Sequence, residues 1–248
     1  MAGRFPPAWR QRSGDRQRVS RHRSDEWKTV RPFDELAARY DAWFDSPDGR
    51  PIFDTEIACL KDVMPADLGQ WLEVGVGTGR FAQALGVKDG VDPSVPMLEF
   101  ARKRGVRTTR GWGENLPYPD GRFHGVLLVV TLCFLSDPAR ALRECARVLN
   151  ENGRLVVGLV PADSLWAELY KGKGRTGHPF YEVARFYDCD EVISMTGAAG
   201  FTLQRGVSCL FSPPGVPPDA SRRQEIAAGA GFVAMEFVKG GQSTECPD

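Results

Sequence analysis

The chain has 248 residues, of which 42% are hydrophobic and 26% charged, and its formal net charge is zero. These values are typical of one globular α/β domain and give no reason to expect a nucleic-acid or membrane partner. The six cysteines are scattered without a CxxC pair, so we expect neither a metal site nor a disulfide framework. No apolar run is long enough for a membrane helix or a secretory signal, which favours a cytoplasmic protein.

The first 31 residues form a basic segment, with nine Lys and Arg residues against three Asp and Glu residues. This segment has few aliphatic residues and no periodicity, which predicts a disordered tail. A nucleic-acid-binding arm is the alternative, but only Phe5, Trp9 and Trp27 could stack on bases, so a solvated tail is favoured. The domain is predicted to span residues 32–240, and residues 241–248 form a short C-terminal tail.

Two helices are predicted at the start of the domain. Apolar residues recur at helical spacing in the first of them, at Phe33, Leu36, Ala37, Tyr40 and Phe44. The second is predicted over residues 52–63, between Pro51 and Pro65.

From Trp71 onwards, short apolar runs alternate with helical stretches. Strands are predicted at residues 70–74, 88–91, 106–110, 124–130, 153–160, 201–209 and 231–238. Helices are predicted at residues 79–85, 94–104, 138–149 and 188–199. This alternation predicts a Rossmann-like, doubly wound α/β sheet with seven mostly parallel strands. Only a Pro-rich stretch and a short helical run near 219–228 separate the last two strands, so these are expected to form a terminal antiparallel hairpin.

The most informative motif is LEVGVGTGRF, over residues 72–81, which follows a buried strand and opens a helix. Its glycines allow a sharp turn and a close backbone approach to a ligand. The dinucleotide fingerprint requires Gly or Ala where this chain has Arg80. The carboxylate of Glu73 would repel a pyrophosphate but could accept a hydrogen bond from an ammonium group.

Asp92 follows the next predicted strand, 19 positions after Glu73. A carboxylate at this place can accept hydrogen bonds from both hydroxyls of a ribose. The alternative is a helix N-cap before Pro93, a role that Ser94 could share. The glycine loop upstream favours ribose binding.

These motifs resemble class I S-adenosylmethionine-dependent methyltransferases, in particular the group that includes ubiquinone and menaquinone C-methyltransferases and many small-molecule methyltransferases. The resemblance is carried by residues 73–79 (EVGVGTG), 91–93 (VDP), 114–118 (ENLPY) and 137–153 (DPARALRECARVLNENG). Residues 33–44 match the helix that commonly precedes the domain. Together the motifs span residues 33–160 in the expected order, so their combination is far more specific than any one alone.

The resemblance implies roles for the glycine loop and its neighbours. The backbone at Gly75, Gly77 and Gly79 would face the methionyl part of S-adenosylmethionine, and Glu73 would steer its ammonium group. Asp92 would bind the ribose hydroxyls.

Further positions follow from the same resemblance. Gly113 and Glu114 would border the adenine, with the Gly113 amide pairing with a ring nitrogen. Val130 and Thr131 would lie beneath the sulfonium, and Tyr40 could close over the cofactor. Where many relatives have an acidic residue before Gly113, this chain has Trp112, which could pack on the purine.

The segment 161–187 is the predicted wall and possible lid of the substrate site. It is rich in aromatic residues: Trp166, Tyr170, Phe180, Tyr181, Phe186 and Tyr187. Residues 171–177 (KGKGRTG) are basic and are expected to be flexible, although a solvated loop over ordinary core aromatics is the alternative. His178 and Tyr40 are the candidate catalytic residues, and Cys133 and Phe134 could line the acceptor pocket. His124 is expected to be structural, because it starts a strand at the opposite end of the sheet.

The predicted function is methyl transfer from S-adenosylmethionine to a small-molecule acceptor by direct displacement. Such a reaction needs alignment and exclusion of water, and it needs a base only if the acceptor is protonated. Two alternatives are an S-adenosylmethionine-binding protein without turnover and a nicotinamide-dependent oxidoreductase. Arg80 and the absence of a Tyr-x-x-x-Lys pair argue against the second.

Overall fold

The computed structural model describes residues 28–66 and 69–240. Most of the predicted basic tail, the predicted C-terminal tail and Cys246 therefore lie outside the described residues. Helical backbone already covers residues 28–35, which we name α1, so helix begins inside the segment predicted as tail. A bend at Leu36 separates α1 from the next helix, where the sequence predicted one continuous helix.

The other elements follow in chain order. The helices are α2 (Ala37–Trp43), α3 (Gly49–Val63), α4 (Arg80–Leu85), α5 (Val95–Lys103), α6 (Pro138–Val148), α7 (Leu165–Arg175) and α8 (Cys189–Ala198). The strands are β1 (Trp71–Val74), β2 (Asp89–Asp92), β3 (Arg107–Arg110), β4 (Phe123–Val129), β5 (Leu149–Leu159), β6 (Phe201–Cys209) and β7 (Phe232–Lys239). A short 3₁₀ helix spans Leu132–Phe134.

The seven strands form one sheet in the order β3-β2-β1-β4-β5-β7-β6. The first five strands pair in parallel, whereas β7 is antiparallel to both β5 and β6. The predicted Rossmann-like α/β sheet with a terminal antiparallel hairpin is therefore confirmed. The strand order reverses between β1 and β4, and in open α/β sheets ligands bind beyond the carboxyl ends of the strands at such a point.

Side-chain caps fix where the helices that flank the sheet begin. Ser94 Oγ accepts a hydrogen bond from the Met97 amide at the start of α5. Asp137 accepts one from the Arg140 amide, with Pro138 in the first turn of α6, where its missing N–H costs nothing. Because each cap fixes the residue at which its helix begins, the loop that precedes the helix is held at the carboxyl edge of the sheet.

The segment between β6 and β7 differs from the sequence prediction. No helix forms over residues 219–228. Instead, the backbones of Ser208 and Arg223 exchange two hydrogen bonds of 2.9 Å, so the segment lies against β6. Backbone pairing to this edge strand replaces the internal hydrogen bonds that a short isolated helix would form at a nucleation cost.

Helix α3 packs its apolar face against β6 and β7. The buried positions follow helical periodicity, at Ile52, Phe53, Glu56, Ile57, Leu60 and Val63. Pro51 is tolerated because it lies in the first turn of the helix. Among the residues that the structure describes, no helix is both long enough and apolar enough to span a bilayer.

Candidate functional site

A cleft of about 780 Å³, counting the part open to solvent, lies at the carboxyl ends of β1, β2 and β4. Most of the residues predicted for cofactor binding line it: Tyr40, Gly75, Gly77, Asp92, Gly113, Glu114, Val130 and Thr131. Trp112 lines it as well. Thr29 and Val30 of α1 also contribute, although the sequence placed them in the tail.

The glycine loop leaves space where a ligand would lie. Gly77 has φ +50°, and a Cβ added there would meet only Tyr40 Cε1, at 4.0 Å. Gly75 has φ +73°, and its Cβ would lie 2.5 Å from Thr131 Oγ1. Position 75 therefore requires glycine for two reasons, because its backbone is left-handed and because Thr131 approaches it closely.

The substitution Gly75→Ala is expected to weaken binding of the cofactor implied by the resemblance at least about tenfold, because the collision displaces the loop or Thr131. Gly105→Ala is the matched control, since Gly105 has φ +81° and nothing within 4 Å of an added Cβ. Both variants should lose about 1 kcal/mol of stability from the left-handed backbone. Thermal unfolding and ligand titration separate the two effects, and unchanged affinity of Gly75→Ala would contradict the assignment.

The Asp92 carboxylate ends β2 inside the cleft and is 9% exposed. Its Oδ2 accepts a hydrogen bond of 2.9 Å from the Gly77 amide, and its Oδ1 accepts one of 2.9 Å from the Ser94 amide. Burial raises the pKa of Asp92 to about 6, although both amide hydrogen bonds act in the opposite direction. One carboxylate thus anchors the glycine loop and keeps acceptor capacity toward the cleft.

Two predicted residues, Glu73 and Gly79, do not line the cleft. Gly79 has φ +79° and an added Cβ would lie 2.9 Å from Ala101 Cα, so its role is close packing of α4 against α5. Glu73 is buried and accepts a hydrogen bond from the Ala82 backbone. Its Oε2 has no hydrogen-bond partner among the described residues. Burial raises the pKa of Glu73 well above its usual value, and the nearby Asp92 charge adds to this shift.

At the far end of the cleft, Glu114 holds the loop that follows β4. Its Oε1 accepts hydrogen bonds from the amides of Ser136, at 2.9 Å, and Asp137, at 3.3 Å. The Glu114 side chain is therefore already engaged with the protein.

The residues present fit S-adenosylmethionine. An open glycine cradle faces Tyr40, a buried carboxylate with free acceptor capacity lies at the end of β2, and Glu73 Oε2 is buried without a partner among the described residues. The glycine cradle allows a ligand to approach the backbone closely, and the Asp92 carboxylate can accept from a pair of hydroxyl donors. The unpaired Glu73 oxygen suits a cationic group. Within the described residues, no group of His, Cys, Asp and Glu side chains could hold a metal ion.

Val130 marks the point at which the cleft meets a second cavity. It has φ +49°, an unusual value for a β-branched residue, and its amide donates a hydrogen bond of 2.8 Å to the Gly158 carbonyl. Backbone strain of this kind concentrates at functional sites. Val130, Tyr40 and Phe134 line both cavities, so the two spaces adjoin.

The second cavity receives the segment that the sequence singled out as the substrate wall. From that segment Tyr170, Lys173, His178, Phe180, Tyr181 and Phe186 line it, and Cys133 lines it from the 3₁₀ helix. Trp166 and Tyr187 instead belong to the core. The basic stretch 171–177 is helical as far as Arg175, where a flexible stretch was expected. A Cβ at Gly174 would lie 2.6 Å from the Tyr181 carbonyl, so glycine here permits close packing rather than flexibility.

His178 and Cys133 both line this cavity, but they differ in their protonation. His178 Nδ1 is buried without a hydrogen-bond partner among the described residues, and burial, Lys173 and Arg39 lower the pKa of His178. The ring therefore stays neutral and could accept a proton. Burial raises the pKa of Cys133 to about 12, so Cys133 remains a thiol. The role of His178 as a base stays a prediction.

A buried ion-pair network ties α2 to the glycine loop. Arg80 Nη2 lies 3.0 Å from Asp41 Oδ2, and Arg104 Nη2 lies 2.9 Å from the same oxygen. Arg104 also donates to the Thr78 carbonyl. In the sequence Arg80 stands out only as a departure from the dinucleotide fingerprint, because no local pattern indicates a partner 39 residues upstream. The network fixes the helix that carries Tyr40 against the loop that carries Gly77.

Comparison with known proteins gives three kinds of match. Residues 72–157 match the family described as "Methyltransferase domain". An uncharacterised Mycobacterium tuberculosis protein is 44% identical over 204 residues, which cover 82% of this chain and 72% of that protein. A demethylmenaquinone methyltransferase from Thermotoga maritima is 31% identical over 157 residues, covering 52% of this chain and 69% of that enzyme.

A solved structure from Thermotoga maritima superposes with a TM-score of 0.79 and 35% sequence identity. The match covers 87% of this chain and 100% of that one, which is described as a SAM-dependent methyltransferase and possible histamine N-methyltransferase.

Proposed function

Because the chain belongs to the class I S-adenosylmethionine-dependent methyltransferases, we propose that its acceptor is a small molecule held in the second cavity, with residues 161–187 acting as a lid. The observation that carries this proposal is the junction of the two cavities at Tyr40, Val130 and Phe134. A cofactor cleft that opens directly onto an aromatic cavity suits an acceptor small enough to be enclosed.

The cleft residues would hold the cofactor by a simple division of roles. Asp92 accepts the ribose hydroxyls, and the backbone at Gly75 and Gly77 allows close approach of the methionyl part. Glu73 does not line the cleft, so we expect its carboxyl group to act on the ammonium group only at longer range. When bound, S-adenosylmethionine supplies a methyl group activated by its positively charged sulfur. The chain itself supplies no nucleophile; its residues orient the acceptor and exclude water.

Asp92 predicts a pH dependence of cofactor affinity. Two hydroxyl donors favour the ionised carboxylate, while the ligand-free group has its pKa raised to about 6 by burial. Affinity for S-adenosylhomocysteine should therefore be constant well above pH 6 and fall as pH drops through it, approaching about tenfold per unit. The groups that face Asp92 and titrate or carry charge are Asp34, Tyr40 and Glu73. Asp92→Asn should bind more weakly and lose this dependence; a variant with the wild-type slope would assign the titration to another of these groups.

Aromatic residues of the second cavity support the proposed wall of the acceptor site. Tyr170 and Tyr181 are stacked with ring centroids 4.5 Å apart, which gives the wall a flat apolar surface. Tyr40 closes the side toward the cofactor cleft. With aromatic rings on several sides, the cavity would align an organic acceptor by shape.

Transfer of labelled methyl from S-adenosylmethionine tests the proposal. The protein is incubated with a cell extract separated into a low-molecular-mass fraction and a macromolecular fraction. We expect label in the low-mass fraction. Label confined to protein or nucleic acid would overturn the small-molecule acceptor. If the protein binds S-adenosylmethionine but transfers label to neither fraction, it is a cofactor-binding protein without turnover and the proposal fails.

A further inference from the structure

One buried carboxylate has no function in the fold described above. Glu56 occupies a core-facing position in the apolar stripe of α3, between Phe53 and Ile57, and is 7% exposed. Every other side-chain-bearing position of that face is apolar, so helical periodicity alone would place a hydrophobic residue here. Glu56 lines the second cavity.

The Glu56 carboxylate has no hydrogen-bond or ion-pair partner among the residues that the structure describes. Burial alone raises the pKa of Glu56 to about 8. A buried carboxyl group without a partner destabilises the folded protein, and such groups are retained where a ligand completes them. Because Glu56 lines the cavity, a ligand that enters it and donates protons or carries positive charge can pair with this carboxylate.

The surroundings of Glu56 favour a cation. The cavity walls include Tyr40, Phe44, Phe81, Tyr170, Tyr181 and Phe186. Aromatic faces attract organic cations, and a desolvated site strengthens this attraction. Burial, with a smaller contribution from the Glu56 charge, raises the pKa of the Tyr40, Tyr170 and Tyr181 hydroxyls. These phenols thus stay neutral.

The positive side chains of the cavity lie elsewhere. Arg39 and Lys173 are exposed, whereas Glu56 is buried, so the cavity is positive at its rim and acidic inside. His178 faces the same space as a neutral ring. None of these groups forms an ion pair with Glu56, so the carboxylate is available to an entering ligand.

We propose that the methyl acceptor is a small amine, which binds as an ammonium against the Glu56 carboxylate and is methylated on nitrogen. This inference rests on the proposed function, because it names the substrate class of that same cavity. The amine transfers one proton to Glu56, and its freed lone pair forms the new N–C bond. The electron pair of the breaking S–C bond goes to sulfur, and the proton on Glu56 passes to solvent. An ordinary carboxyl group would be too weak a base for this transfer, and the buried position of Glu56 makes it stronger.

The test uses protein saturated with S-adenosylhomocysteine and a series of matched probes. Aryl and alkyl amines such as phenethylamine are compared with the isosteric alcohol phenethyl alcohol and the anion hydrocinnamate, first by calorimetric binding and then by methyl transfer from S-adenosylmethionine. We expect amines of the series to bind and to be methylated, and the alcohols and anions to do neither.

The variant Glu56→Gln removes the charge and keeps the shape. It should weaken amine binding and kcat/KM at least about tenfold, while S-adenosylhomocysteine affinity stays within about twofold. Glu99→Gln, at an exposed position of α5, is the matched control and should leave both unchanged. Thermal unfolding verifies that the variants fold.

The outcomes separate two failures. If S-adenosylhomocysteine does not bind the wild-type protein, the proposed function fails. If it binds but no amine binds, if alcohols bind as well as amines, or if Glu56→Gln handles amines like the wild type, the amine inference is overturned and the proposed function stands.

Discussion

Replacing Asp92 with alanine is expected to weaken S-adenosylmethionine binding about 100-fold. Two charge-assisted hydrogen bonds to ribose hydroxyls disappear, each contributing about 1.5–3 kcal/mol before compensation by water. The Gly77 amide also loses its acceptor at 2.9 Å, so the glycine loop loses its anchor. Calorimetric titration of the purified variant measures the loss.

Asp89→Ala is the control for this variant. Asp89 is a buried carboxylate that starts the same strand, where it pairs with Arg107, but it lies outside the cleft. Its removal should change stability and leave cofactor affinity within about twofold. Equal losses of affinity in both variants would mean that disruption of β2, and not ribose recognition, explains the effect.

Asp41→Ala is expected to lower the free energy of unfolding by about 3 kcal/mol, because it leaves Arg80 and Arg104 partly buried without their shared partner. The three side chains are only 11–16% exposed, so solvent screens the network little. Weaker binding of S-adenosylhomocysteine should accompany the loss, since Tyr40 lies on the helix that the network fixes. Urea unfolding and ligand titration measure the two effects.

Asp45→Ala tests whether burial of the carboxylate determines how much the free energy of unfolding falls. Asp45 contacts the same Arg80 guanidinium, but its side chain is 58% exposed, and exposed pairs contribute about 1 kcal/mol or less. If Asp45→Ala lowered the free energy of unfolding as much as Asp41→Ala, this would contradict the conclusion that the buried Asp41 carboxylate is what holds α2 in place.

The sheet was predictable because its strands carry local signals. Short apolar runs bounded by turn residues predicted β6 at residues 201–209, which are the residues observed. The helical residues 28–32 were missed because this part of the sequence is basic and aperiodic, whereas Phe33 already belonged to the predicted helix. The expected helical run near 219–228 failed because pairing with β6 supplies its backbone hydrogen bonds.

More of the cofactor cleft than of the acceptor cavity could be predicted from the sequence. Gly75, Gly77 and Asp92 follow strand ends in sequence, so topology alone brings them to one edge. Glu56 and Arg80 depend on partners or cavities formed by distant segments. A signal for Glu56 existed, since a lone Glu interrupts an apolar helical stripe, but periodicity cannot distinguish a ligand-binding residue from an exposed one.

Titration of the wild-type protein with S-adenosylmethionine and, separately, with NADH decides which cofactor the cleft binds. We expect micromolar binding of S-adenosylmethionine and no detectable binding of NADH, because Arg80 is held in an ion-pair network where a dinucleotide fold needs a small residue. Absence of S-adenosylmethionine binding, or tighter binding of NADH, would contradict the assignment of the cleft and of every role derived from it.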